Sequence, residues 1–273
     1  MDLKTLRYDV LDKIATITLN RPHRMNAWTG RMHTEYRDVL ARADKAADVR
    51  AIVVTGKGKG FCVGADTKAL EGHIEKGGYD AGTPDALAEP GKGVSTDFDA
   101  SFAYHFGLSK PVVAAINGPA AGVGLVLACF ADIRFAVPGV KFTTAHGKLN
   151  FPAEYGLSWL LPRLIGLPRA NDLLLTSRIF TSDEAFALGL VNRLVEPDLL
   201  LKETYAYVRQ MIETVSPGSL RETRWQIYKD LHRDVAASVK DSERLIDAMS
   251  RQKDFAEGVN AFLEKRKPNW TGE

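Results

Sequence analysis

Cysteine is almost missing: Cys62 and Cys129 are the only two in 273 residues. Each sits in an apolar run, which excludes a disulfide scaffold and predicts two free thiols in a reduced, cytoplasmic protein. No histidine and cysteine spacing matches a metal site, so no metal is expected. Long hydrophobic runs are missing as well. The best stretch, Ala120 to Ala131, is short and interrupted by glycine. It falls well under the ~18 residues of a membrane span and reads as a buried helix. The opening Met1-Asp2-Leu3-Lys4 lacks the basic-then-apolar pattern of a signal peptide. Nor is there an excess of one charge, since 36 basic and 34 acidic residues leave a net +2. Partners of the nucleic-acid or membrane type are therefore not expected, and any anion binding must be local. Two common signatures also fail. Counting G-x-G-x-x-G from Gly56 or Gly58 ends on Phe61 or Val63, which excludes a dinucleotide fingerprint, and Gly156-Leu-Ser158-Trp-Leu160 is not the G-x-S-x-G elbow of a serine hydrolase.

What is present is a chain that is 45% apolar, enough for a sizeable core. Residues 14–19 alternate at period two and stop at Asn20-Arg21-Pro22, as a strand feeding a loop does. Thr29 is a plausible N-cap for a helix whose apolar face is Met32, Tyr36, Val39, Leu40 and Ala43. Strand-like runs follow at 51–55, 112–116, 133–137 and 140–143. Residues 72–95 are rich in glycine and proline without periodicity, the composition of a long functional loop or lid. Past Gly189 the chain turns helical, with Val208, Met211, Ile212 and Val215 on one face, a break at Ser216-Pro217-Gly218, and Phe255, Val259 and Phe262 on a last helix.

Two of the strands run into glycine-rich turns, Gly56 to Asp66 and Asn117 to Gly124. Glycine lets backbone come close to a ligand, and a helix starting after such a turn aims free N–H groups at it. Two such turns can converge on one oxygen as an oxyanion hole, where fixed donors meet charge that develops in the transition state. Taken singly, either turn is equally well explained by tight turning and helix packing.

Here a resemblance enters. Asn20-Arg-Pro-His-Arg-Met-Asn-Ala27, Gly60-Phe-Cys-Val-Gly-Ala-Asp66, Lys110-Pro-Val-Val-Ala-Ala-Ile-Asn-Gly118, Leu161-Pro-Arg-Leu-Ile-Gly166, Ala185-Phe-Ala-Leu-Gly-Leu-Val191 and Phe262-Leu-Glu-Lys-Arg266 stand in the order of the signatures of the enoyl-CoA hydratase/isomerase (crotonase) superfamily, from about residue 5 to 268. The resemblance implies an α/β fold, a crotonase/ClpP-like spiral of ββα repeats, with residues 1–195 as an acyl-CoA-binding core and 196–273 as a helical trimerisation region. It implies an acyl-CoA substrate, no permanently bound cofactor because CoA arrives within the thioester, and self-association as a trimer or dimer of trimers. The thioester oxygen is then expected on the N–H of Ala65 and of Val123, with Gly122 the rival donor. Arg24 is expected on a CoA phosphate, Asp66 and Thr67 with Ala65 along the CoA cleft, and Phe262 and Lys265 reaching CoA from a neighbouring subunit.

The acid–base residues depart from the family's pattern. The positions of its two hydratase glutamates read Val126 and His146. Glu154 falls nine residues before Arg163, a spacing similar to that of the catalytic aspartate in dienoyl-CoA isomerases and aromatic acyl-CoA dehalogenases of the superfamily. The resulting expectation is an enolate-forming enzyme, a lyase or isomerase, with Glu154 as the main acid/base. The alternatives are a hydrolase or carbon–carbon bond cleaving enzyme using a His146–Glu154 pair, and a CoA-binding homologue without catalysis.

Overall fold

The computed structural model describes residues 2–77, 98 and 100–272. The chain opens with a hairpin, β1 (Leu6–Leu11) and β2 (Ile14–Leu19), closed by Asp12 and Lys13, both at positive φ. That pair of conformations matches the right-handed twist of the flanking strands. Then come α1 (Gly30–Lys45), β3 (Ala51–Gly56), α2 (Thr67–Lys76), α3 (Tyr104–Gly107), β4 (Val112–Ile116), β5 (Ala120–Ala121), α4 (Val123–Cys129), β6 (Ile133–Ala136) and β7 (Lys141–Thr143). Two 3-10 turns, at 146–149 and 154–156, lead into α5 (Leu157–Ile165) and α6 (Leu167–Thr176), then β8 (Phe180–Thr181), α7 (Ser182–Ala187) and β9 (Arg193–Leu194). Four helices finish the chain: α8 (Leu200–Thr214), α9 (Pro217–Asp230), α10 (Val235–Met249) and α11 (Lys253–Leu263).

The main sheet runs β1-β2-β3-β4-β6-β9, parallel except for the first hairpin. Parallel strands need cover on both faces, and the side chains sort accordingly. Ile17, Ile52, Val54, Val112 and Ala114 face the core shared with α1 and α4, while Ile14, Val53, Val113 and Ala115 face Leu200, Val208 and Ile212 near and along α8. The first helix after position 195 is thus packed on the sheet itself. A smaller sheet, β5-β7-β8, lies beyond the carboxyl ends of β3 and β4.

Thr29 caps α1 by accepting a hydrogen bond from Met32 N at 3.1 Å, and Met32, Tyr36, Val39, Leu40 and Ala43 are all fully buried. The stretch 120–131 is not one helix. Ala120 and Ala121 form β5, Gly122 turns at φ 49° and ψ −124°, and only then does α4 begin, with every residue buried. Residues 72–76, read from composition as the start of a loop, complete α2. The rest of that expected lid, 78–95, lies outside the described residues.

Candidate active site

The two glycine turns meet backbone to backbone. Cys62 donates its N–H to the Pro119 carbonyl at 3.2 Å and accepts from Ala121 N at 3.0 Å, a parallel bridge between Cys62 and Ala120. The approach is closest at Gly124, where a Cβ would lie 2.0 Å from the Cys62 carbonyl oxygen. No side chain fits there, so glycine is required for the first turn of α4 to press against the preceding loop. The Asn26 side chain ties the loop before α1 to this junction. Its amide donates to the carbonyls of Lys57 and Gly60 at 3.0 and 2.8 Å, and its oxygen accepts from Arg21 N at 2.8 Å.

This junction leaves two N–H groups, those of Ala65 and Val123, outside its own ladder. Trp28 donates to Gly64 O and accepts from Asp66 N, so the intervening Ala65 directs its own N–H away from that strand. On the other side, Gly122 commits its N–H to the Thr143 carbonyl at 3.1 Å. Val123 follows as the first helical residue, whose N–H has no intrahelical acceptor. The positive φ falls on Gly122, and Val123 keeps an ordinary helical backbone. Ala65, Gly122 and Val123 line one cavity of about 200 Å³, together with His146 and Glu154.

Glu154 opens the turn before α5. Its Oε2 lies 3.6 Å from the point where a Gly122 side chain would begin, so the carboxylate faces the Gly122–Val123 turn. Burial alone, with no neighbouring charge, pushes its carboxyl above the ordinary glutamate range. Tyr155 follows at φ 49° and ψ 38°, a left-handed conformation that an aromatic residue adopts at some cost. His146 is buried in the same cavity, and its Nδ1 has no hydrogen-bond partner among the described residues. The structure thus brings His146 and Glu154 to one cavity without an ion pair between them. Val126 is buried within α4 and offers no proton-transfer group.

The residues expected along CoA are more dispersed. Burial alone would raise the Asp66 carboxyl, yet the Arg21 guanidinium at 2.8 Å and the Lys68 N–H at 3.0 Å hold it below its usual value. Its carboxylate therefore caps α2 and fixes Arg21. Arg24 and Thr67 are exposed close by, at the end of a 3-10 turn and the start of α2. Phe262 and Lys265 lie exposed at the far end of α11, away from the cavity lining. The thiols of Cys62 and Cys129 are pushed by burial to about 12 and about 11, which keeps both protonated and inert. Sequence reasoning missed His33 and Trp28, which also line the cavity. His33 had a signal, as a polar residue beside Met32 on the otherwise apolar stripe of α1; the part played by Trp28 is its backbone, which composition does not reveal.

Comparison with known proteins gives this geometry a context. Residues 10–273 match the enoyl-CoA hydratase/isomerase family. The chain is 31% identical over 263 residues to the 1,2-epoxyphenylacetyl-CoA isomerase of Escherichia coli, covering 95% of each chain. An enoyl-CoA hydratase structure from Bacillus anthracis superposes with a TM-score of 0.86 at 28% identity, over 99% of this chain and 100% of that one. The enoyl-CoA hydratase of Mycobacterium tuberculosis H37Rv gives 0.83 at 26% identity, over 98% and 99%. A match along nearly the whole length, in sequence and in the crotonase fold alike, leaves one conclusion: the chain belongs to the enoyl-CoA hydratase/isomerase family.

Proposed function

We propose that this enzyme moves a proton on the acyl chain of an acyl-CoA thioester through an enolate. The thioester oxygen sits on the N–H groups of Ala65 and Val123. Glu154 removes a proton from Cα or Cγ, the C–H electron pair passes into the enolate, and the oxygen takes up the negative charge against the two donors. Glu154 exchanges that proton with solvent and delivers one to the other carbon, which shifts the double bond with no net addition. The observation that carries this reading is Glu154 itself: a carboxylate without a charge partner, raised in pKa by burial and facing the turn that presents the Val123 N–H. A carboxylate whose pKa is raised is the stronger base once ionised, which suits it to proton abstraction. The E. coli relative is by name an isomerase, which agrees with a single working carboxylate.

His146 favours a second reading, hydration. His146 lines the same cavity, its Nδ1 is buried without a partner among the described residues, and in this reading its ring positions a water against the double bond while Glu154 manages the proton. The rest of the substrate is CoA, which enters and leaves with it. Arg24 and Thr67, with Asp66, would lie along its phosphates and adenosine, and Phe262 and Lys265 would come from a neighbouring copy in a trimer or dimer of trimers.

The deciding experiment incubates the enzyme with 2-enoyl- and 3-enoyl-CoA thioesters in D2O and follows product masses. Isomerisation gives deuterium uptake without net addition, and hydration gives the mass of a whole water. Glu154→Gln is expected to slow either reaction by about 10²–10⁴-fold. A variant as active as the parent would remove Glu154 from the mechanism.

A further inference from the structure

We propose that the acyl group handled here carries an aromatic ring, received in a second chamber beside the reaction cavity. The inference rests on the acyl-CoA reading above and names its substrate class. The chamber has a volume of about 420 Å³, and Phe98, Phe106, Phe130, Tyr155, Trp159 and His232 supply its rings. Ser101 and Tyr155 border both spaces, which sets the chamber next to the reaction cavity, and Glu154 and Tyr155 are consecutive.

Its composition distinguishes a ring from an alkyl tail. Among the described residues that line it there is no leucine, isoleucine, valine or methionine, and the non-aromatic positions are alanine, serine and glycine. Small residues leave space while the rings provide flat faces and edges, and an arene gains offset and edge-to-face contacts that a methylene chain cannot make. The walls are also fixed in advance. Phe106 stacks on Tyr228 with centroids 3.8 Å apart and packs on Phe130 at 5.1 Å, while Phe98 stands at 81° to it. Tyr228 is itself tethered by a hydrogen bond from its hydroxyl to Asp132. Tyr155 packs edge-on against Phe102 at 5.1 Å, and Trp159 stacks on His232 at 5.3 Å and 14°. Rings held by other rings lose little freedom when a planar guest enters, whereas a flexible chain loses its own on being confined.

The test is calorimetric titration with two unreactive thioesters of nine acyl carbons each, 3-phenylpropanoyl-CoA and nonanoyl-CoA, with free CoA as baseline. The phenyl compound is expected to bind at least tenfold more tightly, although nonanoyl is the more hydrophobic. Trp159→Leu, at a half-buried position, should weaken the phenyl compound at least fivefold and leave nonanoyl within twofold. Equal or tighter binding of nonanoyl-CoA overturns the ring assignment and leaves the acyl-CoA reading standing. If neither thioester binds better than free CoA, the acyl-CoA reading fails and the inference falls with it.

Discussion

Glu154 is placed where its charge opposes folding. Burial raises its carboxyl pKa in the folded state, so the folded protein holds that proton more tightly than the unfolded chain does. Its stabilising contribution is present below the ordinary glutamate value and is lost as pH rises through the raised folded value. Glutamine stays neutral throughout. Glu154→Gln should therefore raise the thermal midpoint at pH 7.5, with the gain shrinking to nothing by about pH 4 if the fold survives there. Scanning calorimetry at the two pH values checks this, and a pH-independent difference would mean the carboxylate is well solvated. The same residue should make activity fall as pH drops through the raised pKa, because a protonated carboxyl cannot act as base. A substitution that lowers activity while raising stability is the expected mark of a group retained for chemistry.

At the scale of elements, the junction of the two glycine turns is held too tightly to admit a side chain. Gly124→Ala puts a methyl 2.0 Å from the Cys62 carbonyl oxygen, a backbone atom that cannot step aside without moving the Ala65 loop. A loss of about 3 kcal/mol or more is expected in urea denaturation. Much of this architecture could be read from the sequence. The apolar face of α1, the runs of β3 and β4 and the two glycine turns were plain, because period and turn chemistry are local. Glu154, Ala65 and Val123 were singled out through the resemblance, and all three line one cavity. What was hidden depends on conformation or on distant partners. The β1–β2 hairpin turns on Asp12-Lys13, which carries no glycine to announce positive φ. The break of 120–131 into strand, turn and helix is set by Gly122 at φ 49°, with β7 supplying the partner for β5. The ring-lined chamber draws on residues from before α3 to after α9, and no window of sequence holds them together.

On the scale of the whole molecule, the C-terminal helices divide into an anchored and an unanchored part. No residue of α10 is buried, and Val235, Ile246 and Phe262 are 79%, 68% and 82% exposed. A second copy packed there would remove that surface from water. Sedimentation analysis of the parent is expected to show trimers or hexamers, and Phe262→Asp should weaken assembly roughly 30-fold or more, the effect of charging an interface hot spot. Monomeric parent protein at micromolar concentration would reject this assembly. Helix α9, by contrast, is bound to the interior. Arg224 is buried, pairs with Asp132 at 2.8 Å, and donates to the carbonyls of His105, Phe106 and Leu108. Asp132 and Arg224 are 92 residues apart in the chain. At a synthesis rate of about 5–20 residues per second, a nascent chain waits roughly 5–20 s between making the aspartate and making its counter-charge. During that interval Asp132 and the carbonyls of His105, Phe106 and Leu108 wait for Arg224, and Phe106 waits for Tyr228. A chain that ends before α9 therefore lacks the guanidinium that closes Asp132 and the carbonyls of His105, Phe106 and Leu108, and is expected to be less stable than the full chain.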